Sequence, residues 1–180
     1  AFSDRTRAVL LCQPHNPVGR VFSEDELRPL VDLCAERGAV LCSDEIHCEI
    51  ILDETKRHVP PATLGDAAAA CTVTLLSPSK TYNIAGLYTS VAVIPDPELR
   101  RAFARARADL LPPVNTFGFT ALRAAYQHAA DWRAELLAYL RGNCDLVIDA
   151  VAAMPGLSMI RPEAMFLAWI DCRAAGMESP

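Results

Sequence analysis

The stretch L-L-S-P-S-K-T-Y-N-I-A-G-L-Y-T, Leu75 to Thr89, holds one of only two lysines among seventeen basic residues. Cys71 to Leu76 is short, apolar and rich in β-branched residues, which predicts a buried strand. Two serines around a proline then turn the chain and bring Lys80 to the strand's carboxyl end. Open α/β sheets bind ligands beyond those ends, where an amine can act as a covalent anchor. On these residues alone, a solvated loop lysine is the plain alternative.

Two more strand ends lie N-terminal to this one. Arg7 to Gln13 contains A-V-L-L-C, a run suited to a parallel sheet covered on both faces, and leads into P-H-N-P-V-G, Pro14 to Gly19. The two prolines stiffen that turn and aim the amide of Asn16 between them. Ser23 to Arg37 reads as a helix with Ser23 and Glu26 as a capping box, Gly38 past its end, and Leu27, Leu30, Val31 and Cys34 on its apolar face. Ala39 to Ser43 is a second buried strand, so strand, helix and strand make a right-handed βαβ unit. S-D-E-I-H follows, with Asp44 at the level of Lys80 if the strands share a sheet, and His47 in the turn beyond.

Residues 52 to 66 read as an irregular surface connection. Tyr88 to Ile94 reads as a strand, and Asp96-Pro97 opens a helix running to about Leu111. Pro112 to Asn115 breaks it. Long helices follow, one marked by Phe119, Leu122, Ala125, Tyr126 and Ala129, the next by Trp132, Leu136, Leu140, Leu146 and Val147. Leu157 to Ile160 and Ala164 to Ile170 are then expected as strands of a smaller layer. The expected division is residues 1–130 in a partial large domain and 131–180 in a partial small C-terminal domain.

Composition narrows the function classes. A chain of 180 residues that is 52% apolar can bury a sizeable core. A net charge of −5 supplies no basic face for nucleic acid, and Arg100, Arg101, Arg105 and Arg107 read as a solvated helix face. No apolar run approaches the ~20 residues of a membrane helix. Seven cysteines without C-x-x-C spacing suit reduced thiols in a cytoplasmic protein. Cys42, His47 and Cys48 fit no common zinc spacing, and no metal is expected.

Taken together, P-H-N-P-V-G, S-D-E-I-H and S-P-S-K-T-Y-N-I-A-G-L resemble the corresponding motifs of fold-type I pyridoxal-phosphate enzymes. Within the class I/II aminotransferase superfamily they are most similar to the MalY/PatB-type cystathionine β-lyases, or C–S lyases. The resemblance implies an α/β fold, the central part of the large domain with a mainly parallel sheet, followed by the start of a small α+β domain. It also implies pyridoxal 5'-phosphate as cofactor, a small amino-acid substrate, and a homodimer at full length, with Pro113 to Thr116 near the partner's phosphate.

By the same resemblance, Lys80 would hold the cofactor as an imine and later remove the substrate's Cα proton. Asp44 would pair with the pyridine nitrogen, Asn16 would donate to the ring's 3-oxygen, and Ser77, with Ser79, would bind phosphate. Two positions depart from the wider superfamily. His47 stands where many aminotransferases have a tyrosine, and it would touch the ring edge or support the groups around it. Tyr88 stands where many have a phosphate-binding arginine. The family's N-terminal phosphate turn, its stacking aromatic and its C-terminal carboxylate-binding arginine have no match here; Arg161 and Arg173 are the late candidates for the last. The resemblance therefore implies the middle of a roughly twice-longer enzyme. The expected reaction is α,β-elimination from cystathionine or a cysteine conjugate, with transamination, or a ligand-sensing role without turnover, as alternatives.

Overall fold

A computed structural model describes residues 2–108 and 110–176. Its sheet contains β1 (Ala8–Cys12), β2 (Val40–Asp44), β3 (Thr72–Leu76) and β4 (Val91–Val93), adjacent in that order. The first three are parallel, with Cys12, Asp44 and Leu75 abreast at their carboxyl ends, whereas β4 runs antiparallel to β3. Asp44 and the Lys80 turn are thereby delivered to one edge of the sheet.

Helix α1 (Glu24–Glu36) makes the first crossover. The predicted capping box is formed: the Ser23 N–H donates to Glu26 Oε2 at 2.9 Å, and acidic Glu24, Asp25 and Glu26 lie at the positive end of the helix dipole. Gly38, at φ +62°, turns the chain into β2. Val31 and Cys34 of α1 pack with Leu41 of β2 and Ala68 of α2 (Asp66–Cys71), with Val9 and Leu11 alongside. The Ala67 to Ala70 run is thus helical, as alanine's propensity favours, and Cys71 closes that helix instead of opening β3. The connection before it also holds a 3₁₀ turn, Pro61–Thr63.

Strand alternation puts Val9, Leu11, Leu41 and Ser43 on the face under α1 and α2, and Leu10, Cys42 and Asp44 on the other. Leu10 is 84% exposed, and Val91 and Val93 are also exposed. Among the described residues, α1 and α2 cover the first face over β1 and β2, while Leu10 and all three residues of β4 are exposed.

After β3 the short helix α3 (Pro78–Thr81) carries Lys80. The predicted strand Tyr88 to Ile94 shrinks to β4, because Tyr88 adopts a left-handed conformation and the Thr89 carbonyl accepts the Ser77 hydroxyl. Helix α4 (Pro97–Arg107) is capped by Asp96, whose carboxylate accepts the Leu99 N–H at 2.7 Å, and it buries no residue. It stops short of Leu111, which precedes two prolines that disfavour helical dihedrals. Residue 109 lies outside the described residues.

Asn115 turns the predicted break into a cap. Its side chain accepts the Gly118 N–H at 2.8 Å and donates to the Leu87 carbonyl at 3.0 Å, starting α5 (Thr116–His128). Only Ala129 separates α5 from α6 (Ala130–Ala152). Tyr82, just past α3, lies 5.9 Å from the rings of both Tyr126 and Trp132, so Lys80's turn is packed against the junction of the two helices. Beyond α6, β5 (Ser158–Met159) and β6 (Ile170–Asp171) form a small antiparallel pair. Of the predicted strand Ala164 to Ile170, only the last residue is in a strand. Ala164 and Met165, both fully buried, instead donate their N–H groups to the carbonyls of Gly19 and Ile50, so their backbone is satisfied by loops.

Candidate active site

The loop after β1 is built on Gln13, a fully buried amide. Its Nε2 donates to the Phe22 carbonyl and its Oε1 accepts the Phe22 N–H, both at 3.0 Å, closing the loop at its base. Within the loop the Asn16 N–H donates to Cys12 Sγ at 3.4 Å, and Cys12 is the register partner of Asp44. The Asn16 backbone is thus fixed beside the carboxylate's strand, with its side chain exposed.

Asp44 is half-buried at the end of β2, where its Oδ1 accepts the Ile46 N–H at 3.2 Å. Three residues on, His47 is 3% exposed, and neither ring nitrogen has a hydrogen-bond partner among the described residues. Burial holds its pKa below the usual histidine value, the positive charge of Lys80 lowers it further, and the Asp44 carboxylate opposes both. The Phe166 ring meets His47 edge-on with centroids 5.8 Å apart.

Lys80 is exposed, and no ion pair among the described residues engages it. Ser77 has local work: its hydroxyl accepts the Ser79 N–H at 3.1 Å to cap α3 and donates to the Thr89 carbonyl at 2.8 Å. Ser79, two residues on, is half-buried. Tyr88 is 87% exposed. Arg161 and Arg173 are already paired with Asp145 and Asp171, at 2.7 and 2.5 Å.

Three groups escaped the sequence reading. Glu45, 1% exposed, pairs through Oε2 with His58 Nε2 at 2.5 Å. Glu49, two residues past His47, accepts the hydroxyl of Tyr82, two residues past Lys80, at 3.2 Å and pairs with Arg133 at 3.3 Å. Glu163 reaches back to Val21 at 2.6 Å. Only Glu45 had a signal, a second acid in sequence at a strand end. Burial meanwhile pushes the Cys48 thiol up to about 12, so this cysteine is a neutral thiol at pH 7.

Gly19 marks a close approach. It has φ +73°, and a Cβ built there would lie 2.6 Å from Pro162 Cβ and 2.7 Å from the Ala164 carbonyl oxygen. Gly19→Ala is expected to cost about 2–4 kcal/mol, combining left-handed strain with overpacking. Urea unfolding measures it, and a loss below about 0.5 kcal/mol would contradict the close packing.

An amine, a carboxylate, an amide and a buried imidazole thus stand at or just beyond the strand ends of an α/β sheet. Residues 1–179 match the model of the aminotransferase class I and II family, and the chain belongs to that family. Among curated relatives it is 40% identical over 170 residues to cystathionine beta-lyase PatB of Bacillus subtilis (strain 168), an alignment covering 93% of this chain and 44% of the relative. It is 35% identical over 177 residues to protein MalY of Escherichia coli (strain K12), covering 96% and 44%.

Among solved structures, that of OvoB superimposes with a TM-score of 0.95 at 44% identity, over 99% of this chain and 47% of the other. Cystalysin from Treponema denticola, which contains a pyridoxal 5'-phosphate cofactor, gives 0.90 at 34% identity, over 95% and 44%. The chain spans less than half the length of each of these. The mixed, mostly parallel sheet is that of the fold-type I enzymes that the sequence motifs predicted. No described helix is long and apolar enough to cross a membrane.

Proposed function

We propose that this chain is the central part of a pyridoxal 5'-phosphate-dependent carbon–sulfur lyase. Its substrates are cystathionine or cysteine conjugates, and its products a thiol, pyruvate and ammonia. Lys80 and Asp44 are the catalytic residues, with Asn16, His47, Ser77 and Ser79 also at the cofactor. In this reading residues 1–130 belong to the large domain and 131–180 to the small one, and the full-length enzyme is a cytoplasmic homodimer.

The observation that carries the proposal is His47. A buried imidazole with two unpartnered nitrogens is costly unless a ligand satisfies it, and this one lies in the turn that follows Asp44 at the end of its strand. The donor set fits the cofactor: an amine for its aldehyde carbon, a carboxylate for its pyridine nitrogen, an amide donor for its ring oxygen, and an imidazole at the ring edge or supporting the groups around it. When bound, pyridoxal phosphate supplies an electron sink for a negative charge at the substrate's Cα. The Asp44 carboxylate holds a proton on the pyridine nitrogen, and Lys80 Nζ takes the proton from Cα. In elimination the electron pair then leaves with the sulfur on Cβ. In transamination a proton returns elsewhere. Among curated relatives, those named cystathionine β-lyase reach 40% identity and those named aminotransferase 28% and 25%, which favours elimination; a solved structure named as a putative aminotransferase is 36% identical, so transamination is the rival to be separated by assay.

The test is the full-length protein incubated with cystathionine. Pyruvate release without added 2-oxoglutarate is expected. Amino transfer that depends on 2-oxoglutarate and yields no pyruvate would replace the lyase reading with transamination, and cofactor binding with no turnover would point to a sensor.

A further inference from the structure

The segment Pro162 to Phe166 is far in sequence from the strand-end loops yet lies between two of them. Glu163 is its hub. One carboxylate oxygen, Oε2, accepts the N–H of Val21 at 2.6 Å, and the other pairs with Lys56 at 3.2 Å. Its main-chain carbonyl accepts the N–H groups of Leu52 and Asp53, at 2.8 and 3.0 Å. The next two residues continue the tie, Ala164 to the Gly19 carbonyl and Met165 to the Ile50 carbonyl, while Phe166 reaches His47. Val21, Ala164 and Met165 form a buried apolar cluster with the partly buried Ile51 against it, so the Val21 N–H is shielded from water and depends on its protein acceptor.

One of the joined loops carries Asn16 and the other follows His47. We propose that Glu163 is a positioning residue: its carboxylate fixes the Asn16 loop against the loop that follows His47 and so sets the hydrogen bond that Asn16 makes to the cofactor's ring oxygen. This rests on the pyridoxal-phosphate reading. The Val21 N–H is the contact that matters, because Val21 is 1% exposed and the Glu163 oxygen is its acceptor. The Lys56 pair is partly exposed on both sides and contributes little. A correctly held Asn16 stabilises the deprotonated ring oxygen, so a loosened loop moves the pH midpoint of the bound cofactor's visible absorbance upward.

The experiment uses the full-length protein loaded with pyridoxal 5'-phosphate, comparing wild type with Glu163→Ala, Glu163→Gln and Lys56→Ala. Glu163→Ala is expected to weaken cofactor binding about tenfold and to raise the absorbance midpoint by about half a unit. Glu163→Gln keeps an acceptor for Val21 and is expected to restore both to near wild type, and Lys56→Ala to leave both unchanged. A merely structural Glu163 would lower Tm and leave the midpoint in place, and that result overturns the inference. If Glu163→Ala does not fold, Glu163→Asp keeps the backbone ties but falls short of Val21. It is then expected to show the same upward midpoint, and a wild-type midpoint there is equally decisive against the idea. A wild-type protein that takes up no pyridoxal phosphate would bring down the functional reading itself, and this inference with it. Uptake by the wild type with an unmoved midpoint in the variants would bring down the inference alone.

Discussion

Lys80→Ala in the full-length protein is expected to lower pyruvate release from cystathionine by at least about 10³-fold, because one change removes both the cofactor's anchor and the base for the Cα proton. Little stability should be lost, since the Lys80 side chain is exposed and in no ion pair among the described residues. The visible cofactor band should vanish with the activity. A second readout needs no cofactor. Burial is the main reason His47 titrates low and the Lys80 charge is the next, so removing the charge should move the His47 pKa up toward its usual value without restoring it fully. An NMR titration follows that resonance. Unchanged turnover in Lys80→Ala would remove the catalytic assignment, and an unmoved His47 would mean that the Lys80 charge does not act on the imidazole.

The second large effect is on stability. Glu45 is almost wholly buried, its Oε2 lies 2.5 Å from His58 Nε2, and its other oxygen has no partner among the described residues. His58→Ala leaves that carboxylate in the interior with nothing to offset its lost hydration, and a cost of about 3–5 kcal/mol is expected. His58→Gln keeps a donor and should cost less. The diagnostic variant is the double change Glu45→Leu with His58→Leu: apolar replacement of both partners is often near neutral, so it should be more stable than His58→Ala alone. Denaturant unfolding at neutral pH measures all three. Equal losses in the single Ala variant and the double variant would show that packing, not the pairing of a buried charge, sets the cost.

Much of the frame was legible because the relevant physics is local. The Ser23–Glu26 box, the Asp96-Pro97 start and the strand-ending turns at Pro14, Asp44 and Ser77 each depend on a few adjacent residues, and each is present. The mixed order β1-β2-β3-β4 needed one long-range fact, that β4 returns antiparallel beside β3. Errors arose where distant segments compete for a backbone. Ala164 and Met165 have strand composition, yet the carbonyls of Gly19 and Ile50 claim their N–H groups. His58 sat in a connection read as irregular surface, and its Glu45 partner, thirteen residues back, has no periodic signature.

The packing of Tyr82 against Trp132 also has an optical consequence. The indole sits 5.9 Å from a ring that is two residues from Lys80, and the chain has only one other tryptophan, Trp169. Whatever displaces the lysine turn shifts Tyr82 and alters the surroundings of that indole. Intrinsic emission can therefore follow events at the turn in real time, with no label attached.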